Sequence, residues 1–261
     1  MTETDRTEAE HARGAANGRV ALVTGAGSGI GRAVAARLEQ DGAHVLSVDL
    51  KPDPDGPGTP HQADLTDAEA NRHAIADALD RFGRLDVIVA GAGIQHVSPI
   101  QDFPIDTWNL IIDLMLTSPF LLARHGWEAL AESGSGRFIA IASAHSLVAS
   151  PYKSAYVSAK HGVLGLVKTL ALEGAERGIA ATAVCPGYVR TPLVEAQITD
   201  QARAHRLSEE EVLEQVILAP HVIKDLIEPS EVADVVAFLA GPGGRSFTGV
   251  PVTMDMGWTA R

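Results

Sequence analysis

Residues Arg19 to Gly42 read RVALVTGAGSGIGRAVAARLEQDG. The first part, RVALVTG (19–25), is a nearly unbroken apolar run, which predicts a strand buried on both faces. The last part, IGRAVAARLEQDG (30–42), has apolar residues at helical spacing and ends in glycine, which predicts a helix. Between them, TGAGSGIG places glycines at Gly25, Gly27, Gly29 and Gly31. Without side chains the backbone turns tightly and a pyrophosphate can approach the free N–H groups and positive dipole end of the helix. A glycine loop alone is an ordinary turn. The strand before it and the helix after it make it a dinucleotide-binding signal. Gly25, Ser28, Gly29 and Ile30 are the candidate cofactor contacts.

The same alternation runs along the chain. Strands are predicted at AHVLSVDL (43–50), LDVIVAG (85–91), GRFIAIAS (136–143), IAATAVCPG (179–187) and GVPVTMD (249–255). Helices are predicted at 66–82, 104–132, 152–177 and 229–241, with Pro119 expected to kink the second. The loop KPDPDGPGTP (51–60) is too rich in proline and glycine for regular structure. Residues 190–227 read as mixed and mostly helical. Apolar strands alternating with helices imply an α/β fold. We expect one Rossmann-type domain, a doubly wound parallel sheet over 18–261, behind a flexible polar leader at 1–17. Asp49 ends the second strand. A carboxylate there accepts ribose hydroxyls and repels a 2′-phosphate, which favours NAD over NADP.

The formal net charge of −12 over 261 residues, without basic runs, argues against nucleic-acid binding. It also repels anionic substrates, so any anion site has to be built locally. No apolar run approaches the roughly 20 residues that cross a bilayer, so no membrane partner is expected. The leader, MTETDRTEAEHARGAANG, lacks the apolar core of a secretory signal. A single cysteine, Cys185, leaves no disulfide within the chain and fits a cytoplasmic location. The ten histidines show no ligand spacing, so no metal site is expected.

In SAYVSAKHG (154–162), Tyr156 and Lys160 stand one helical turn apart, and a nearby cation favours the phenolate. Alone, such a pair is usually a solvated helix face. With TGAGSGIG, the AGAG at 90–93, Ser143 ahead of Tyr156, and PGYVRT (186–191), the chain resembles the short-chain dehydrogenase/reductase family over 19–258. The resemblance implies that Ser143 hydrogen-bonds the substrate oxygen and Tyr156 acts as general base. Lys160 would lower the tyrosine pKa and bind ribose. Asp64 and Leu65 would meet adenine, and Gly91 would line the cofactor. Thr191 would hold the carboxamide, with Pro186 and Val189 as further cofactor contacts. It implies NAD as cofactor and a homotetramer. The helices 104–132 and 152–177 carry more small and apolar residues (Gly162, Gly165, Ala171) than a one-sided surface helix needs.

Within that family, AGIQHVSPI (92–100), SAHSLVASPYKSAYVSAKHG (143–162), CPGYVRTPLVEAQI (185–198) and GWTAR (257–261) resemble the D-3-hydroxybutyrate dehydrogenases. The matching positions for a substrate carboxylate are Gln95, His145, Lys153 and Gln197, with Ser143 and Tyr188 beside them. The implied reaction is NAD-dependent oxidation of a small anionic 3-hydroxy acid, D-3-hydroxybutyrate to acetoacetate. Four positions depart from the pattern. Met115 replaces an asparagine that supports a helix irregularity and a water relay from the lysine. Gly91 replaces an asparagine that ties neighbouring strands. Tyr188 stands where tryptophan is frequent, and Met256 stands where glycine is usual. These departures keep two alternatives open. One is a different hydroxy or keto compound from secondary metabolism. The other is a weakly active NAD-binding regulatory protein.

Overall fold

The structure, a computed structural model, describes residues 16–205 and 207–260. Strand β1 (Val20–Thr24) is buried along its whole length. It pairs in parallel with β2 (His44–Asp49) on one side and β4 (Val87–Ala90) on the other. With β3 (Thr59–Gln62), β5 (Arg137–Ile141), β6 (Ala180–Pro186) and β7 (Pro251–Met254), the strands form one parallel sheet in the order β3-β2-β1-β4-β5-β6-β7. Successive side chains alternate between its faces. Leu22, Ile88 and Phe138 join Leu122 and Val163 in one core. Val23, Val89 and Ile139 join Val34 and Val236 in the other. Helices α2 (Ala68–Phe82), α4 (Ser118–Glu132) and α5 (Ser154–Gly174) cover the first face. The other is covered by α1 (Gly29–Gln40) and α7 (Pro229–Ala240). The strand order reverses beside β1, and a doubly wound sheet binds its ligand at that switch point.

Four expectations need correction. β3 begins inside the stretch expected to be irregular, at its last two residues. The outer edge of β2 requires partners, and Leu46 to Asp49 find them in Thr59 to Gln62. Of the leader, residues 1–15 lie outside the described residues. Ala16 is fully buried, so the packed fold begins before the expected boundary at residue 18.

The third correction concerns the helix expected over 104–132. It is divided into α3 (Ile105–Ile112), a π turn at Asp113–Thr117, and α4. Pro119 in the first turn of α4 has no N–H to return to the carbonyl of Met115, so the i→i+4 ladder fails there. The N–H of Ser118 reaches back to the Asp113 carbonyl instead. The irregularity therefore forms with methionine at 115. Ile105–Glu132 also has the length and mean hydropathy of a membrane span, contrary to the sequence reading. Ile111, Met115, Leu122, Ala123 and Leu130 from this run are buried in the two protein cores beside it.

The fourth correction concerns the small residues of α5. Ala171 belongs to the core, and Gly162 leaves room for Leu116 of the same chain. Gly165 alone of the three faces open space.

Candidate active site

Beyond the carboxyl ends of β1 and β4 lies a cleft of about 570 Å³. Its phosphate end is the turn from β1 into α1. Gly25 has φ 72°, and a Cβ there would stand 2.9 Å from the Ala92 Cα. A Cβ on Gly31 would stand 2.2 Å from the Gly25 carbonyl oxygen, so α1 can start this close to β1 only with glycine at 31. Ser28 takes the N-cap position in extended conformation, but its side chain caps none of the first-turn N–H groups. Those donors are left for a ligand, as an anion site at a helix start requires. The cleft is lined by Gly25, Ser28, Gly29, Ile30, Asp49, Asp64, Leu65, Gly91, Tyr156, Lys160, Pro186, Val189 and Thr191, all the candidate cofactor contacts. Asp49 accepts from Gly27 N–H and Lys51 N–H, both at 2.9 Å, which fixes the carboxylate at the mouth. Each oxygen keeps a second acceptor site for ribose hydroxyls.

The missing asparagine at Gly91 does not leave the strands untied. The Thr24 hydroxyl accepts from Gly91 N–H at 3.0 Å and Ala92 N–H at 3.2 Å, linking the end of β1 to the end of β4. A Cβ at 91 would stand 2.9 Å from the Thr24 carbonyl oxygen, so glycine suits the approach.

The chemistry-bearing residues stand at the inner end. Ser143 leaves β5 as the N-cap of a short 3₁₀ turn, Ala144–Ser146, and its hydroxyl accepts from His145 N–H. Ser143 and Tyr156 both line the cleft. Removal of the Tyr156 hydroxyl from water pushes its pKa up to about 12, with Ser143 opposing this. The Lys160 Nζ donates to the Ile141 carbonyl at 2.6 Å and lies 5.6 Å from the tyrosine ring centre. Its own pKa falls to about 8 through burial. Desolvation is the largest cause of both shifts.

The residues assigned to a substrate carboxylate are divided. Lys153, only 5% exposed, donates to the Tyr188 hydroxyl at 3.0 Å and to the Gln197 side-chain oxygen at 3.5 Å. Gln197 is carried by α6 (Pro192–His205). Burial lowers the Lys153 pKa to about 8. The Gln95 side-chain oxygen accepts from His96 N–H. His145 is buried with both ring nitrogens engaged, one 3.4 Å from Ser143 Oγ and the other 2.9 Å from Ser150 Oγ. Burial, then the charge of Lys153, lowers its pKa to about 3, so the ring is neutral.

Two residues that the sequence reading did not assign complete this wall. Trp258 stacks on Tyr188 at 5.5 Å and meets the His145 ring edge-on at 4.9 Å. His221 tilts against both Tyr188 and Trp258. The tail is held by Asp255, which accepts from Gly257 N–H, Thr259 N–H and the Thr259 hydroxyl. Met256 takes a left-handed backbone, φ 53°, and its carbonyl accepts from Val222 and Ile223 N–H. Met256 thus fastens the tail to the segment carrying His221. Only the quoted GWTAR pointed to Trp258, and no spacing rule places it against residues 145 and 188.

Comparison with known proteins gives one family and close relatives. The short chain dehydrogenase family matches over residues 19–202. The D-beta-hydroxybutyrate dehydrogenase of Rhizobium meliloti (strain 1021) is 44% identical over 93% of this chain and 99% of its own. That of Cupriavidus necator is 38% identical over 94% and 99%. Carveol dehydrogenase from Mycobacterium avium, solved in complex with NAD, superposes with a TM-score of 0.87 at 27% identity, covering 95% of this chain and all of that one.

Proposed function

The chain belongs to the short chain dehydrogenase family, and from that footing we propose that it oxidises D-3-hydroxybutyrate to acetoacetate with NAD. The observation that carries the substrate class is Lys153. It is a buried cation facing a neutral phenol and an amide, and among the described residues no carboxylate pairs with it. A buried charge of this kind is costly until an opposite charge arrives. A small carboxylate reaches Nζ by displacing the Gln197 oxygen, the longer of its two contacts. The Tyr188 hydroxyl, accepting from Lys153, turns its own proton outward as a further donor.

The glycine loop and the start of α1 fit the pyrophosphate, Asp49 the ribose, and Thr191 the carboxamide. When bound, the oxidised nicotinamide supplies a hydride acceptor for the carbinol carbon. Ser143 hydrogen-bonds the substrate oxygen and holds it against Tyr156. Tyr156 takes the hydroxyl proton, and Lys160 favours the phenolate. Purified protein with D-3-hydroxybutyrate should form NADH with NAD and not with NADP, and the L-isomer should not react. Turnover of an uncharged secondary alcohol in preference to the acid would overturn the substrate and favour the second reading, a different hydroxy compound. Tyr188 motivates that reading, because its hydroxyl adds polarity to the wall beside the substrate.

We also propose a homotetramer built on α4 and α5. Phe120 on α4 is exposed, and Leu172 on α5 is 82% exposed. Light scattering at micromolar concentration should give the mass of four chains, and a monomer would remove the proposal.

A further inference from the structure

We infer that Asn71 is a positioning residue for the cofactor, one that clamps the loop carrying Asp64 and Leu65 to the π turn that supplies another wall of the cleft. The inference rests on the reading of Asp64 and Leu65 as adenine contacts. In α2 the buried residues are Asn71, Ala74, Ile75 and Ala78, the i, i+3, i+4, i+7 stripe of a one-sided helix. Three of these are apolar. Asn71 is fully buried among them, although asparagine is a weak helix former and a buried amide is costly unless it is hydrogen-bonded. An apolar side chain would fill the stripe at no such cost, so the amide has to act through its partners.

There are three partners. Asn71 Nδ2 donates to the Leu65 carbonyl at 2.8 Å and to the Asp67 carbonyl at 2.7 Å, and Oδ1 accepts from the Ser118 hydroxyl at 2.7 Å. Carbonyls only accept, so the nitrogen has to face Leu65 and Asp67, and the network fixes the orientation of the amide. Ser118 is itself buried and closes the π turn, its N–H reaching the Asp113 carbonyl.

Both ends of the clamp carry cleft residues. Asp64, Leu65 and Thr66 line the cleft from the loop after β3, and Leu114 and Met115 line it from the π turn. Bonds inside the loop give its shape. Thr66 donates to Asp64 Oδ1 through its N–H at 3.0 Å and its hydroxyl at 2.7 Å, and Asp67 N–H donates to the Asp64 carbonyl. The bond from Asn71 to the Leu65 carbonyl then ties this loop to α2, and the bond from Ser118 ties α2 to the π turn. A ligand loses less entropy in binding between walls that are already held in place.

The test separates positioning from packing. Asn71→Val restores an apolar stripe and removes the clamp. Calorimetry should show AMP, which carries only the adenine half of the cofactor, binding about tenfold more weakly, the effect of one or two lost hydrogen bonds. KM for NAD should rise by a similar factor at native kcat. Tm should fall, because the Ser118 hydroxyl and the Leu65 carbonyl lose their partner. Asn71→Val with Ser118→Ala removes the first of these orphans, so Tm should recover in part while AMP still binds weakly. AMP affinity that is native in Asn71→Val, or that returns with Tm in the double variant, would make the network purely structural and overturn the inference, as would a lowered kcat at native KM for NAD. Hydrogen exchange of the ligand-free protein supplies the arm independent of binding and turnover. Exchange over 64–67 and over 113–118 should quicken together in Asn71→Val, and native exchange in either segment overturns the clamp. In the native protein AMP should slow exchange over 64–67. AMP that binds without doing so removes the adenine reading, and failure to oxidise D-3-hydroxybutyrate removes the substrate reading. In both cases the exchange of Asn71→Val still judges the clamp.

Discussion

Tyr156→Phe should lower kcat by about 10²–10⁴-fold, the usual contribution of a positioned acid–base group, while NAD affinity measured by calorimetry stays within about twofold. The substitution removes one oxygen and keeps the ring. The ring packs among Ile111, Met115, Ala155 and Ala159, and phenylalanine preserves that packing. The glycine loop and Asp49, which take the far end of the cofactor, are untouched. The size of the loss follows from what the hydroxyl does. It takes the substrate proton, and in the free protein burial holds it protonated, with a pKa of about 12. Proton transfer is efficient when the acceptor pKa lies near the working pH, so the reacting state has to bring this value down. The cation of Lys160 contributes, and the positive nicotinamide adds to it when bound. A Phe variant retaining more than a tenth of native turnover would assign the proton to another group.

Sequence patterning reached the cleft more fully than the wall beside it. The glycine loop is a local device, because a strand, a tight turn and a helix start follow from neighbouring residues alone. Gly25, Ser28 and Asp49 therefore stand where the spacing places them. Tyr156 and Lys160 share a helix face, as an i,i+4 pair must. The direction of the lysine was not legible, because the Ile141 carbonyl that takes Nζ belongs to a strand. β3 was hidden for a related reason. TPHQ has little strand propensity, and the demand of the β2 edge makes it a strand. Trp258 and His221 were illegible because their neighbours Tyr188 and His145 come from distant loops. The position of His145 was legible and the partners of its ring were not. The tight turn after Ser143 sets which partners its two nitrogens meet.

Lys153→Met should raise the KM for a carboxylate substrate by roughly 30- to 1,000-fold and leave the protein at least as stable as before. The first effect is the loss of a desolvated cation from an ion pair, worth about 2–4 kcal/mol at such sites, with each 1.4 kcal/mol a factor of ten. The second follows from the cost of that cation in the free protein. Its pKa falls from 10.5 to about 8 on burial. Such a shift corresponds to about 3 kcal/mol of destabilisation. The sign runs with pH. Below about 8 both folded and unfolded chains carry the charge, and the full penalty applies. Between about 8 and 10.5 the folded chain gives up its proton first, and the penalty fades. Methionine fills similar space without the charge, so Tm near pH 7 should rise or hold. The same titration governs binding. In the native protein kcat/KM for the acid should fall as pH rises through about 8, where the ammonium is lost. Lys160 titrates in the same range, also at about 8. Its loss acts on proton transfer and persists in Lys153→Met, whereas the part carried by KM should vanish in that variant. An uncharged secondary alcohol should show no KM change on substitution. A KM for D-3-hydroxybutyrate unchanged in Lys153→Met, with a lowered Tm, would make Lys153 a structural cation and move the carboxylate elsewhere in the cleft.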